Sequence, residues 1–290
     1  MSLSYANTPV YIGHINTSSV NTGFTGSIDY IPATQANISF SSSLSPKRNL
    51  GVDVSSTDQF TVNNALSADI TINSLIHPTL DQGFRYLSGT AAAQEAFVPI
   101  QIGNNLYKKC YPQNITISVE PFAPVTISAS FVSLDPPTGS KIDGNDNDIF
   151  KDILDPPPIS GDRFAYGYTS SITNAENVVG NVQSQISFTR NCNRTPVYGI
   201  GSPSPTSMLL DGIEEEMSIT STGLQSFINL SGDTLGSMVQ ILIEDVDESM
   251  DGLIKRLVNM PVGSRVSTQG YSSQGGDSVS ATATIKNIKL

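Results

Sequence analysis

An all-β fold with minor helix is what the sequence predicts, on three observations. Apolar residues alternate with Ser and Thr through several segments, the period-2 pattern of a half-buried strand. Charged residues make up only 14% of the 290 residues and hydrophobic ones 38%, with no Trp. The surface must therefore be covered largely by Ser, Thr, Asn, Gln and Gly, which suits sheets and extended loops better than helices with charged faces. The third observation is that the chain echoes itself. Ile38-Ser39-Phe40 recurs as Ile186-Ser187-Phe188, 148 positions on, and at that offset Gln35 falls on Gln183, Ser41 on Thr189 and Gly51 on Gly199. "DITIN" (Asp69–Asn73) matches "EMSIT" (Glu216–Thr220) at an offset of 147, and "VTISASF" (Val125–Phe131) parallels "VSATATI" (Val279–Ile285) at 154. Three blocks in one order with small drifts in offset point to a duplicated domain.

Taken along the chain, "MSLSYANTPVYIG" has neither a basic n-region nor an apolar h-region, so no signal peptide is expected. No window approaches the roughly 18 continuous apolar residues of a membrane span. Strands are expected where Ile38 and Phe40, Ile70 and Ile72, and Val125, Ile127, Ala129 and Phe131 share a face. "IQIGNNLYKK" (Ile100–Lys109) reads as a hairpin around Gly-Asn-Asn. Later, Val239–Ile243 reads as a strand and Glu248–Leu257 as an amphipathic helix stopped before Pro261, with a counterpart around Thr90–Phe97. Between the halves, "LDPPTGSKIDGNDNDIFKDILDPPPISGD" has the prolines and carboxylates of a linker or protruding loop. The expected division is a first β-domain over 1–133, this segment over 134–162 and a second β-domain over 163–290. Ile38/Ile186, Phe40/Phe188 and Ile72/Ile219 are then expected at equivalent core positions, with Pro156, Pro157 and Pro158 on the surface.

The composition excludes several chemistries. A formal charge of −11 is wrong for tracking a phosphate backbone, since that affinity comes from Lys and Arg displacing counterions. Cys110 and Cys192 lack metal-site spacing and read as buried free thiols rather than a mutual bridge. His14 and His77 have no triad context, and no phosphate-binding loop, dinucleotide fingerprint or Cys/His cluster appears, so neither cofactor nor metal is expected. "DGNDND" fails as an EF-hand loop: counted from Asp143, the sixth and twelfth positions hold Asp148 and Leu154 where Gly and Glu are needed. The carboxylates of Asp211–Glu216 and Glu244–Ser249 have no nucleophile beside them and read as solvated faces or a negative lining.

"NRTPVYGIGSPSPTSMLLDGIEEEMSIT", a strand followed by an Arg-x-Pro-x-Tyr-Gly-Ile-Gly turn, a Ser-rich loop and "DGIEEEMSI", resembles bacteriophage tail-tube proteins. The closing "YSSQGGDSVSATATIKNI" is similar to that family's final pair of strands. The resemblance covers residues 177–290 and extends more faintly over 24–131. It implies two tandem tail-tube-like antiparallel β-sandwich or barrel domains, each with a flanking helix. It also implies copies that join their inner sheets into a ring around a channel. Two such domains in one chain let three chains imitate a sixfold ring. On this reading the protein is a non-enzymatic virion component, assembled in the host cytoplasm. Its partners are its own copies, other tail proteins such as sheath, tape measure or baseplate, and double-stranded DNA in transit; no membrane is involved. Glu214, Glu215 and Glu216 are candidates for a channel lining that repels phosphate, with an outward-facing loop equally allowed. A baseplate hub or distal-tail ring, joining a sixfold tube to a threefold spike, is the nearest alternative. A capsid-decoration or neck protein and a secreted β-sandwich adhesin, for which an export signal is lacking, are others. A polysaccharide-degrading virion enzyme would want paired carboxylates and aromatic platforms, and there is no Trp.

Overall fold

Alternation builds this molecule, because a strand with one apolar face is stable only when that face is covered. The computed structural model describes residues 9–13, 28–41, 44–46, 60–62, 67–76, 97–103, 105–134, 138–139, 165–174, 178, 183–200, 205–222, 232–243, 256–273 and 279–289. In chain order the strands are β1 (Val10–Gly13), β2 (Ile28–Ile31), β3 (Ala33–Ser41), β4 (Leu44–Pro46), β5 (Phe60–Val62) and β6 (Ser67–Leu75). Then come β7 (Val98–Ile102), β8 (Asn105–Val119), β9 (Thr126–Ser133), β10 (Thr138–Gly139) and β11 (Ser171–Thr173). The last six are β12 (Gln183–Tyr198), β13 (Pro205–Thr222), β14 (Val239–Ile243), β15 (Arg256–Met260), β16 (Arg265–Ser272) and β17 (Ser280–Lys289). A single 3-10 turn covers Gly167–Thr169, and no α-helix occurs among the described residues. All pairings between these strands are antiparallel. The protein is all-β.

Eight strands form one continuous path, β16-β17-β13-β12-β8-β9-β6-β3. β8 is long enough to serve two neighbours along one edge: β7 pairs its first part and β12 its last. Beyond β7 the sheet continues through β1 to β2, while β11-β14-β15 makes a separate three-stranded sheet and β4-β5 a two-stranded one. The inner faces of the path, of β1, β2 and β7, and of β14 and β15 meet in one apolar cluster. It includes Ile70, Ile72, Phe131, Ile186, Phe188, Met217 and Ile219 on the path, and Ile12, Ile100, Ile241 and Met260 on the covering strands. Each fully buried Ile or Phe contributes roughly 1.5–3 kcal/mol. The β7–β8 hairpin turns at Gly103, whose φ of 58° is the left-handed conformation that glycine adopts without strain.

Two sets of four strands share one pairing order. β3-β6-β9-β8 and β12-β13-β17-β16 follow the same pairing order. Ile72 lies opposite Ala129 and Ile219 opposite Ala283, and all four are fully buried or nearly so. On the other side, Ala36 faces Ile72 and Ile186 faces Ile219. The counterpart of Ile186 in the first unit is therefore Ala36, that of Phe188 is Ile38, and that of Arg190 is Phe40.

This corrects the expected Ile38/Ile186 and Phe40/Phe188 equivalences by two residues. A two-residue slip leaves every side chain on its own face, so alternation alone cannot detect it. The consequence is visible in burial: Phe188 is 2% exposed, whereas Phe40 is 53% exposed near the end of the last strand of the path.

Other expectations meet the structure as follows. Val239–Ile243 is the strand β14. Of the helix expected over Glu248–Leu257, residues 244–255 lie outside the described residues, while Arg256 and Leu257 belong to β15. There Leu257 stands opposite Leu242, and buried Val258 and Met260 alternate with Asn259, a period-2 register that the helical reading had absorbed. Of Thr90–Phe97 only Phe97 is described, and it is not helical. At the start of the expected linker Leu134 is buried and Thr138–Gly139 pairs with β8. Residues 140–164, with Pro156–Pro158 and the Asp143–Asp148 motif, lie outside the described residues, as do His14 and His77. Cys110 and Cys192 are buried and are not disulfide-bonded.

Candidate channel face and its buried ion pair

Opposite the core, the eight-stranded path presents hydroxyls and amides. Ser187, Thr189 and Asn191 on β12 stand across from Ser118, Thr116 and Asn114 on β8. The Thr116 and Thr189 hydroxyls hydrogen-bond at 3.2 Å, and Asn114 Nδ2 donates to Asn191 Oδ1. The pattern extends outward in both directions, with Thr220 meeting Thr282 at 3.2 Å and Asn73 donating to Gln35 at 3.2 Å. Small polar side chains that satisfy one another make a wetted, weakly adhesive surface. Its described charges include Asp69, Glu214 and Glu216, with Lys286 bound to Glu216 at 2.8 Å.

The three consecutive glutamates do not act together. Successive residues of a strand point to opposite faces, so Glu214 and Glu216 fall on the polar face while Glu215 turns inward between Ile213 and Met217. The reading of Glu215 as a lining residue is therefore corrected: its side chain is 1% exposed.

Its carboxylate accepts Arg190 Nη2 at 2.7 Å and Nε at 3.1 Å, Asn287 Nδ2 at 2.7 Å, and Lys289 Nζ at 2.9 Å. Burial by itself would raise the Glu215 pKa. The hydrogen bonds from Asn287 and Lys289, with the Arg190 guanidinium, outweigh it and hold the carboxyl below its ordinary value. Arg190 also lies over the Phe188 ring, 5.8 Å from its centroid. The group clasps β12, β13 and β17 where the apolar side of the sheet runs out. The sequence reading missed it, yet a signal was present: Glu215 occupies the apolar phase of Ile213, Met217 and Ile219, and Arg190 that of Ile186 and Phe188.

At one rim exposed Phe122 of the β8–β9 turn stacks on Tyr168 of the 3-10 turn, and Tyr168 on half-buried Tyr166, with centroids 6.4 and 5.3 Å apart. Gly167 is required beneath it, because a Cβ there would lie 1.8 Å from the Glu120 carbonyl oxygen. Beside it a cavity of about 250 Å³ opens where β8 meets β12, between Pro121, Gly167, Ile172, Gln185 and Ile241. Its lining has no carboxylate, imidazole or thiol. Burial pushes the Cys192 thiol up, which keeps it a poor nucleophile. Among the described residues no three His, Cys, Asp or Glu side chains gather as a metal site.

No family model matches the chain, and no curated protein matches it. Among solved structures it is similar to the SPP1 Dit protein, described as a paradigm of the hub adsorption apparatus in Gram-positive-infecting phages. That likeness has 10% identity, covers 90% of this chain and 94% of the other, and has a TM-score of 0.24.

Proposed function

We propose that the protein is a structural component of a phage tail, that its copies close into a ring, and that the polar sheet face lines a channel for DNA. The observation that carries this reading is the order of the two four-stranded units. They follow each other head to tail, with β12, the first strand of the second unit, against β8, the last strand of the first. Among the described strands the path therefore begins and ends on unlike strands, β3 and β16. A head-to-tail contact that repeats with rotation closes into a ring, and three chains supply six units. Such a ring joins roughly 24 strands, beyond the roughly 16–18 at which closed barrels already hold an aqueous channel.

The resemblance of residues 177–290 to tail-tube proteins supports the same reading, and the chemistry of the face suits it. Hydroxyls and amides give a duplex little to hold, while Glu214 and Glu216 repel phosphate. The partners are further copies, neighbouring tail proteins and DNA in transit. Light scattering on the purified protein with negative-stain microscopy tests this, the expected result being threefold rings with an open centre. Monomers at every concentration would overturn it. A hub or distal-tail ring is the second reading, favoured by two units in one chain, since the assembled ring then offers threefold ends. Long stacks of rings mark a tube, whereas single rings mark the hub.

A further inference from the structure

We propose that the rim formed by Phe122, Tyr168 and the neighbouring cavity binds a neutral saccharide, a β-1,4-linked chain of pyranoses whose ring substituents are all equatorial. This goes beyond the ring reading and does not depend on it, because the groups involved gather at one end of β8 and β12 within a single chain.

The first observation is a strained residue. Glu120–Ala123 is a tight turn, closed by the Ala123 N–H donating to the Glu120 carbonyl at 3.3 Å. Pro121 takes its second position, which suits the fixed φ of proline, and Phe122 its third, at a φ of 60°. A positive φ at that third position belongs to glycine or asparagine, and a bulky side chain there is strained. The other non-glycine residue with positive φ among the described residues is Asn174, a type that tolerates it. Burial does not offset the strain, since Phe122 is 86% exposed. A turn that holds an apolar ring in water against its own backbone preference points to a ligand.

Secondly, the ring is not alone. Tyr168, 55% exposed, lies 6.4 Å from Phe122 with ring planes 30° apart, and Tyr166 continues the stack. Rings that hold one another nearly parallel are set before a ligand arrives, which lowers the ordering cost of binding. Thirdly, the surroundings form hydrogen bonds and carry little charge. Ser170, Ser171, Ser184 and Gln185 line the cavity, and its wall includes Pro121 and Gly167, the chain neighbours of the rings. Gln185 Nε2 donates to the Glu120 carboxylate at 2.8 Å, and no Lys, Arg or His lines the cavity.

These features select the ligand. The negative face of an aromatic ring meets the polarised C–H bonds of a pyranose, while hydroxyls and amides meet its O–H groups. Equatorial substituents leave only axial hydrogens on the two faces, so such a sugar lies flat on a ring. A lining without a cation disfavours uronate and phosphorylated polymers. One carboxylate, Glu120, does not make the pair that cleavage needs, so the chain is held and not cut. The cavity of about 250 Å³ falls just under the roughly 300 Å³ at which pockets for drug-sized ligands begin, and suits one sugar ring. The aromatic rings stand beside the cavity and do not line it. One sugar therefore cannot reach both, and affinity should rise from monosaccharide to tetrasaccharide.

Calorimetric titration of the full chain with cellohexaose and with chitohexaose tests this. At least one is expected to bind with a Kd of about 1 mM or tighter. A β-1,4-galactohexaose, whose axial O4 breaks the flat face, should bind at least about tenfold more weakly. Phe122→Gly should lower affinity about tenfold while leaving the thermal midpoint equal to or above that of the wild type, because glycine occupies this turn position without strain. Gln185→Ala should lower affinity about fivefold. Binding that survives Phe122→Gly, or galactohexaose bound as well as the other two, would overturn the site. So would silence toward both hexaoses, including the case in which only choline chloride binds and the rings are a cage for a cation. Ring formation is read separately by microscopy, so these outcomes leave that reading untouched.

Discussion

Arg190 and Glu215 stand directly opposite one another on β12 and β13, and guanidinium meets carboxylate at 2.7 Å on the apolar side of the sheet. The corresponding pair in the first unit is Phe40 opposite Ala68. One position in a shared pairing order thus holds a clasped ion pair in one set of strands and a half-exposed aromatic in the other. In the second unit Asn287 and Lys289 of β17 complete the charge arrangement. In the first, Ala33, Ala36 and Ile38 of β3 pack against the core and Phe40 is exposed among the described residues.

Removing the carboxylate should be costly. Glu215→Ala leaves Arg190 and Lys289 facing each other without a counter-charge, but Lys289 is half exposed and can turn to water. The expected loss is about 2–3 kcal/mol in urea unfolding, below the roughly 3–5 kcal/mol of a fully enclosed pair. Arg190→Met combined with Glu215→Leu should recover most of it. A double variant no better than Glu215→Ala would show that packing, not charge, holds this position.

The same carboxylate should make stability fall with acid. Its folded pKa lies below the ordinary value of 4.5, so the unfolded chain takes up the proton first as pH drops. The stabilisation is complete above the unfolded value and is lost as pH falls through the folded one. The urea midpoint of wild type minus that of Glu215→Gln should be constant near neutrality and shrink below about pH 4.5. A gap that widens on acidification would reverse the assignment.

Ile72→Ala and Ile219→Ala should destabilise the chain similarly, by about 3 kcal/mol each. Both side chains are fully buried and both face an alanine on the following strand of their unit. Chemical denaturation of the two variants measures this, and a several-fold disparity would mean that the units do not share one packing plan.

Gly167→Ala should cost about 2–4 kcal/mol, because the new methyl would sit 1.8 Å from the Glu120 carbonyl oxygen and the turn would have to lift. Gly236→Ala, where a Cβ meets nothing within 4 Å, is the matched control and should be nearly neutral.

For the channel reading, Glu214→Lys with Glu216→Lys should leave folding and assembly intact and slow DNA passage at low salt. Each new cation gives phosphate a binding site whose strength falls as salt rises. Particles carrying the variant should recover their ejection rate at high salt. Ejection at the wild-type rate at low salt would remove these two residues from the channel wall.

Much of the architecture was legible in the chain. Strand positions around Ile70, Val125, Ile186 and Val239 follow from alternation, since a period of two has one physical meaning when the apolar phase is unbroken. The β7–β8 hairpin was marked by Gly-Asn-Asn, and Ile72 and Ile219 stand alike opposite Ala129 and Ala283. What misled was signal of the wrong kind. Leu257 and Val258 sit in a stretch whose apolar spacing fits a helix as well as a strand, and pairing with β14 decided for the strand. The Ile-Ser-Phe echo aligned side chains of the correct phase but two residues away from their structural partners.

Residue type and phase are local properties, and they were sufficient to determine that this protein is β-built and acidic. Partnership is not local. That β12 lies against β8, joining the two four-stranded sets into one sheet, depends on edges far apart in the chain finding one another. The same holds for Glu215, read from sequence as one of three equal glutamates. Its inward phase was written in the chain, but only the arrival of Arg190, Asn287 and Lys289, up to 74 positions away, makes a charge there tolerable. A buried charge is decided by what surrounds it, and the surroundings exist only once the sheet is assembled.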